Sequence, residues 1–149
     1  MSDYWIQFVP ADPRAQPTKE AAERAVQLLK SYAPEADEVT ARFMEHTEIF
    51  HPVANWEGVH CPVCGADAEA WFVDAMHRAG DESFSDLTVE TPCCRSHTSL
   101  NDLHYVSQVA FGRFVLEAMN ANIGETTLEQ ERALSEALGL PLRKVLVHL

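Results

Sequence analysis

Positive charge is scarce in this 149-residue chain, with eleven Lys and Arg against twenty-three Asp and Glu, for a net charge of −12. That balance argues against the phosphate-neutralising surface a nucleic-acid binder needs, and no nucleic-acid partner is expected. Long apolar runs are missing as well. Mean hydropathy is −0.18, and no stretch approaches the roughly 18 residues that a membrane span needs. The opening "MSDYWIQFVPADPR" has an early acid and no basic segment ahead of an apolar one, so no secretory leader is expected. Glycine is sparse, with six in all, and no glycine-rich phosphate loop, nucleophile elbow or kinase signature occurs. A cytoplasmic protein in a reducing compartment is expected, where clustered cysteines are read as metal or redox sites before disulfides.

What remains is 46% hydrophobic, enough for one domain spanning residues 1–149. Residues 4–9, "YWIQFV", alternate as a strand with Tyr4, Ile6 and Phe8 on one face. Three prolines break the following loop, and Thr18 is placed to cap a helix to about Ala33, with Ala22, Val26, Leu29 and Tyr32 inward. "EVTARFMEHTEIF" is a strand whose alternation weakens after Met44. The order recurs near the end: "FGRFVLEAM" as strand, a helix from about Thr127 with a Thr126/Glu129 capping box, a Gly139 cap, and "LRKVLVHL" as strand. Two β-α-β halves, 1–57 and 105–149, thus flank an insert, 58–104. The expected class is α+β, a ferredoxin-like antiparallel sheet with a zinc-ribbon-like module inserted.

The insert holds all four cysteines. It carries eight acids and two bases, the densest negative charge in the chain, and a basic protein partner suits that field. "CPVCG" is a C-x-x-C turn in which Pro62 stiffens the bend and Gly65 permits a positive φ. "PCCRSH" follows after 28 residues. Zinc takes four thiolate or imidazole ligands. Cys61 and Cys64 supply two, and the second pair is either Cys93 with Cys94 or Cys94 with His97. Between the clusters a helix is expected over "DAEAWFVDAMHRAG", with Trp71, Ala75 and Met76 inward, then a strand "FSDLTVE". A thioredoxin-like redox pair fits poorly, because Gly65 follows Cys64 at once where a helix would have to begin.

Four protein ligands leave no position for water, so such zinc is structural, and no catalytic residue is assigned. "HTE" at His46–Glu48 distantly matches a zinc-deaminase pattern, but its proline lies inside the cysteine pair. "SHTSLNDLHY" offers Ser99 and Asp102 as caps for a short helix carrying Leu100, Leu103 and Val106. A small enzyme using Asn101, Asp102 and His104 is the alternative to a non-catalytic interaction or adaptor protein. An acidic immunity- or antitoxin-like protein that neutralises a basic partner is another. His60 is the one further histidine beside a cysteine, and Trp56 sits at the module's edge.

Together "CPVCGA", a following tryptophan, "TPCC", "TSLNDLHY", "GRFVLEAMN" and "LGLPLRKVLVHL" resemble a family of small bacterial zinc-ribbon-containing proteins with no established activity, over residues 59–149. The resemblance implies Cys61, Cys64, Cys93 and Cys94 as the metal set. It supplies no reaction. The family pattern has glycine after the double cysteine, where this chain has Arg95, and has no histidine at the place of His97.

Overall fold

The computed structural model describes residues 3–52 and 56–149; residues 53–55, near the end of the first expected half, lie outside it. The first half contributes β1 (Tyr4–Pro10), α1 (Lys19–Tyr32) and β2 (Glu38–Phe50). Four short strands follow, β3 (Val59–His60), β4 (Thr88–Glu90), β5 (His97–Ser99) and β6 (His104–Tyr105). Between β3 and β4 runs α2 (Glu69–Asp81), and a 3₁₀ turn over Leu100–Asp102 joins β5 to β6. The chain closes with β7 (Ala110–Met119), α3 (Leu128–Leu138) and β8 (Leu142–His148). This is a mixed α+β fold on a four-stranded antiparallel sheet in the order β2-β7-β1-β8. β3 pairs with β6, and β4 with β5, as separate two-stranded ladders.

Period-two alternation divides the sheet. Ile6 and Phe8 of β1 and Phe114, Leu116 and Ala118 of β7 join Ala22, Ala25 and Leu29 of α1 and Leu134 and Leu138 of α3 in one core. Burying a leucine such as Leu29 stabilises by about 2 kcal/mol. Val9, Val115, Val145 and Val147 pack on the opposite face with Met44 and Phe50. Of the three helices, α1 and α3 begin on hydroxyl caps. Thr18 Oγ1 accepts from Ala21 N–H at 3.1 Å. At α3 the capping box is Thr127 with Gln130, one residue later than the expected Thr126 with Glu129. Thr126 is buried and donates to Glu131 Oε2 at 2.7 Å instead. Gly139 ends α3 in the left-handed conformation, φ 74°.

The weakened alternation in β2 has a structural cause. Its pairing with β7 runs in register to Phe43↔Phe114 and resumes at Glu48↔Gly112, so extra residues bulge from β2 between them. Gly112 sits at this slip. A Cβ there would lie 2.5 Å from Val9 Cγ1, so the close approach of β1 requires glycine.

The segment between β2 and β7 has its own core of Val59, Ala68, Phe72, Ala75, Ala79, Leu100 and Leu103, closed by Val109 and Phe111. α2 is turned by about one residue from the expected face. Its buried stripe is Phe72, Ala75 and Ala79, with Trp71 and Met76 at the margin. The expected strand "FSDLTVE" is a strand only at Thr88–Glu90. Ser83 and Phe84 have positive φ, 55° and 56°, which sets the turn that lays Phe84 against Phe111, ring centroids 5.7 Å apart.

Candidate metal centre

Two tight turns carry the cysteines. In the first, Cys61 N–H donates to Ala66 O at 2.8 Å and Gly65 N–H to Cys61 O at 3.0 Å. Gly65 has φ 77°, a conformation that costs glycine nothing. In the second, Thr91 N–H donates to Ser96 O at 2.8 Å and Arg95 N–H to Thr91 O at 2.7 Å, with Arg95 at φ 54°. β3 leads into the first turn, while β4 and β5 flank the second.

The turns bring the Sγ atoms of Cys61, Cys64, Cys93 and Cys94 within 4.8 Å of one another. Among the described residues no other such group of potential metal ligands forms. Cys61 and Cys94 sulfurs are 3.8 Å apart, and those of Cys64 and Cys93 3.4 Å. A disulfide needs about 2.05 Å, and all four thiols are free. A tetrahedral ion with metal–sulfur bonds of about 2.3 Å places its sulfurs about 3.8 Å apart. The residues therefore fit a thiolate-bound metal ion.

Hydrogen bonds tune the sulfurs unequally. Cys61 is drawn below its ordinary value first by the Cys64 backbone N–H, against burial and with help from the Val63 N–H. The Ser96 and Thr91 hydroxyls pull Cys94 down to about 6; they lie 3.3 and 3.2 Å from its sulfur. Cys93, beside the Cys64 sulfur, is pushed up to about 12. Four crowded thiols cannot all ionise without a cation, so one keeps its proton while another gives it up. Thr91 and Ser96 escaped the sequence reading. The signal was available in the offset between "CPVC" and "TPCC", which aligns Thr91 with Cys61.

The other candidates lie elsewhere. His97 is on β5, opposite Glu90, and is not in the sulfur group. His60 faces His104 across the β3–β6 ladder. His46 and Glu48 are on β2, remote in pairing from the cysteine turns. Trp56 stacks on Phe72 at 5.5 Å and meets Tyr105 edge-on at 6.0 Å, while its indole N–H donates to Glu69 Oε1 at 2.9 Å. Tyr105 donates to the Leu100 carbonyl, and burial raises its phenol.

Asn101, offered by the sequence as a polar binding residue, is 4% exposed. Its Nδ2 donates to Ala11 O at 2.9 Å, and its Oδ1 accepts from Phe111 N–H at 3.1 Å and Arg143 Nη1 at 3.0 Å. Three of the amide's four hydrogen-bonding positions thus join the 3₁₀ turn to the sheet. Asp102 is exposed and pairs with Arg143 at 3.3 Å. A cleft of about 520 Å³ runs past Asp102, His104 and Arg143, but the Arg143 guanidinium is already held by Asn101 and Asp102.

No family model, curated protein or solved structure matches the chain.

Proposed function

We propose that this chain is a cytoplasmic, non-catalytic interaction or adaptor protein whose insert, residues 58–104, is a zinc-ribbon-like module on a ferredoxin-like sheet. The observation that carries the reading is the gathering of four free cysteine sulfurs within 4.8 Å. Soft thiolates in a tetrahedral set favour zinc among the common cellular cations. The strand order β2-β7-β1-β8, with α1 and α3 sharing one core face, supports the ferredoxin-like assignment.

With four sulfurs on the ion, water has no position from which to be activated, so the zinc would stabilise and not react. Cys61 and Cys64 lie before α2, and Cys93 and Cys94 lie after β4. The ion would hold both ends of that excursion together, where unligated thiolates would repel. The module's charge, eight acids against two bases, favours a basic protein partner through steering and complementarity.

Hydrogen exchange with and without a zinc chelator tests the structural role. Amides of residues 61–99 should lose protection while those of β1 and β7 keep theirs. Unchanged protection throughout would contradict the reading. The partner is tested by in-cell crosslinking with sites mapped on this chain. Links concentrated on 58–104 are expected, and links confined to the sheet and its helices would count against it.

A further inference from the structure

The two cysteine turns superpose residue for residue in their hydrogen bonding. Cys61 and Thr91 each close the turn with an N–H to the residue five positions on, at 2.8 Å in both. Each accepts at its carbonyl from the residue four positions on, Gly65 or Arg95. Gly65 and Arg95 share the left-handed conformation. Proline stands second in both turns, as Pro62 and Pro92. The correspondence therefore runs Cys61 to Thr91, Val63 to Cys93, and Cys64 to Cys94.

That frame sets the ligands out of step. In the first turn the sulfurs come from the first and fourth positions. In the second they come from the third and fourth, and the first is a threonine. Burial follows position and not residue type: Cys61 and Thr91 are both 0% exposed, whereas Val63 is 61% exposed and Cys93 is exposed. Thr91 still points at the cluster, its Oγ1 3.2 Å from Cys94 Sγ. It also accepts from Ser96 N–H at 2.9 Å.

Resting on the metal-centre reading above, we propose that Thr91 occupies a ligand position whose sulfur is supplied instead by Cys93 from the outer side of the same turn. Thr91 is a positioning residue that orients Cys94 through its hydroxyl. Cys93 replaces the missing first-position thiolate. A cysteine at 91 should then make Cys93 dispensable, because the backbone already presents position 91 as it presents Cys61.

The test measures zinc affinity by chelator competition, and thiolate count by the charge-transfer band of the cobalt-substituted protein. The chains compared are the native protein, Cys93→Ser, and Thr91→Cys with Cys93→Ser. The single variant should bind zinc more than roughly 100-fold more weakly, beyond what loss of an orienting partner costs. The double variant, which gives up only the orienting Thr91 hydroxyl, should return to within roughly 10- to 100-fold of native and restore the four-thiolate band. Persistent three-thiolate binding in a folded double variant would overturn the proposal, as would a Cys93→Ser chain that binds like native. Should the double variant fail to fold, Cys61→Thr with Val63→Cys decides in the same terms. That pair shifts the first turn's sulfur outward as the second turn's already is, and it should keep four thiolates. A native chain that takes up neither zinc nor cobalt would defeat the metal-centre reading itself, an outcome distinct from failure of the rescue.

Discussion

The side-chain carbonyl of Asn101 accepts a hydrogen bond from the backbone N–H of Phe111 at 3.1 Å, across the junction between the cysteine-bearing segment and the sheet. The same side chain reaches Ala11 O at 2.9 Å. One buried amide thus fastens the 3₁₀ turn to β7 and to the end of β1, a role independent of any ion. The amide secures the root of the insert, and the cysteines would tie its two turns together.

Asn101→Ala should therefore destabilise the fold by about 2–3 kcal/mol, because it leaves the Phe111 N–H and Ala11 carbonyl without partners in a buried site. Asn101→Asp should also destabilise, since a carboxylate cannot donate to Ala11 O. Urea unfolding of both variants checks this. Native-like midpoints would contradict the assignment.

Gly112→Ala places a methyl group against Val9 Cγ1, a branched side chain buried at 0% exposure and unable to swing aside. The expected cost is about 1–3 kcal/mol. Coupling with Val9→Ala should recover part of it, because the second change removes the opposing methyl. A double variant no more stable than Gly112→Ala would show that the strain lies elsewhere.

Lys144 bridges Glu125 at 2.8 Å and Glu131 at 2.7 Å. Burial raises the Glu131 carboxyl, but hydrogen bonds from Lys144 and Thr126 outweigh it and hold the group below its ordinary 4.5. A carboxyl lowered by folding adds stability at neutral pH and loses it as pH falls through the folded value. Glu131→Gln should thus cost up to about 1 kcal/mol near pH 7, the discount being for its partial exposure. The difference should shrink towards zero in the acid range below 4.5. Denaturant midpoints of both chains across pH 3–7 measure it, and a gap that stays constant with pH would contradict the account.

The sheet was legible because its signals are local. Thr18 caps α1, Gly139 ends α3, and alternation in β1 and β7 assigns Ile6, Phe8, Phe114 and Leu116 to one face. Register was less legible. The slip after Phe43 resumes at Gly112 of β7, where Val9 of β1 packs close, and no reading of β2 alone contains that pairing. On α2, both Trp71 and Phe72 are large and apolar, and the small residues Ala68, Ala75 and Ala79 decide which faces inward. At the metal centre, spacing selected Cys61 and Cys64. Spacing left Cys93 and His97 as rivals for the fourth place; the two turns gather Cys93 with the other sulfurs, and His97 lies in the β4–β5 ladder. Asn101 was read as a candidate binding or enzyme residue because its structural partners, Ala11, Phe111 and Arg143, are distant in sequence.

Metal content per chain tests the central claim most directly, on protein purified without added zinc, for the native chain and for Cys93→Ser, Cys94→Ser and His97→Ala. The account predicts one zinc in the native and His97→Ala chains and its loss from both cysteine variants. A native chain without metal, or zinc kept in Cys93→Ser and lost in His97→Ala, would contradict it.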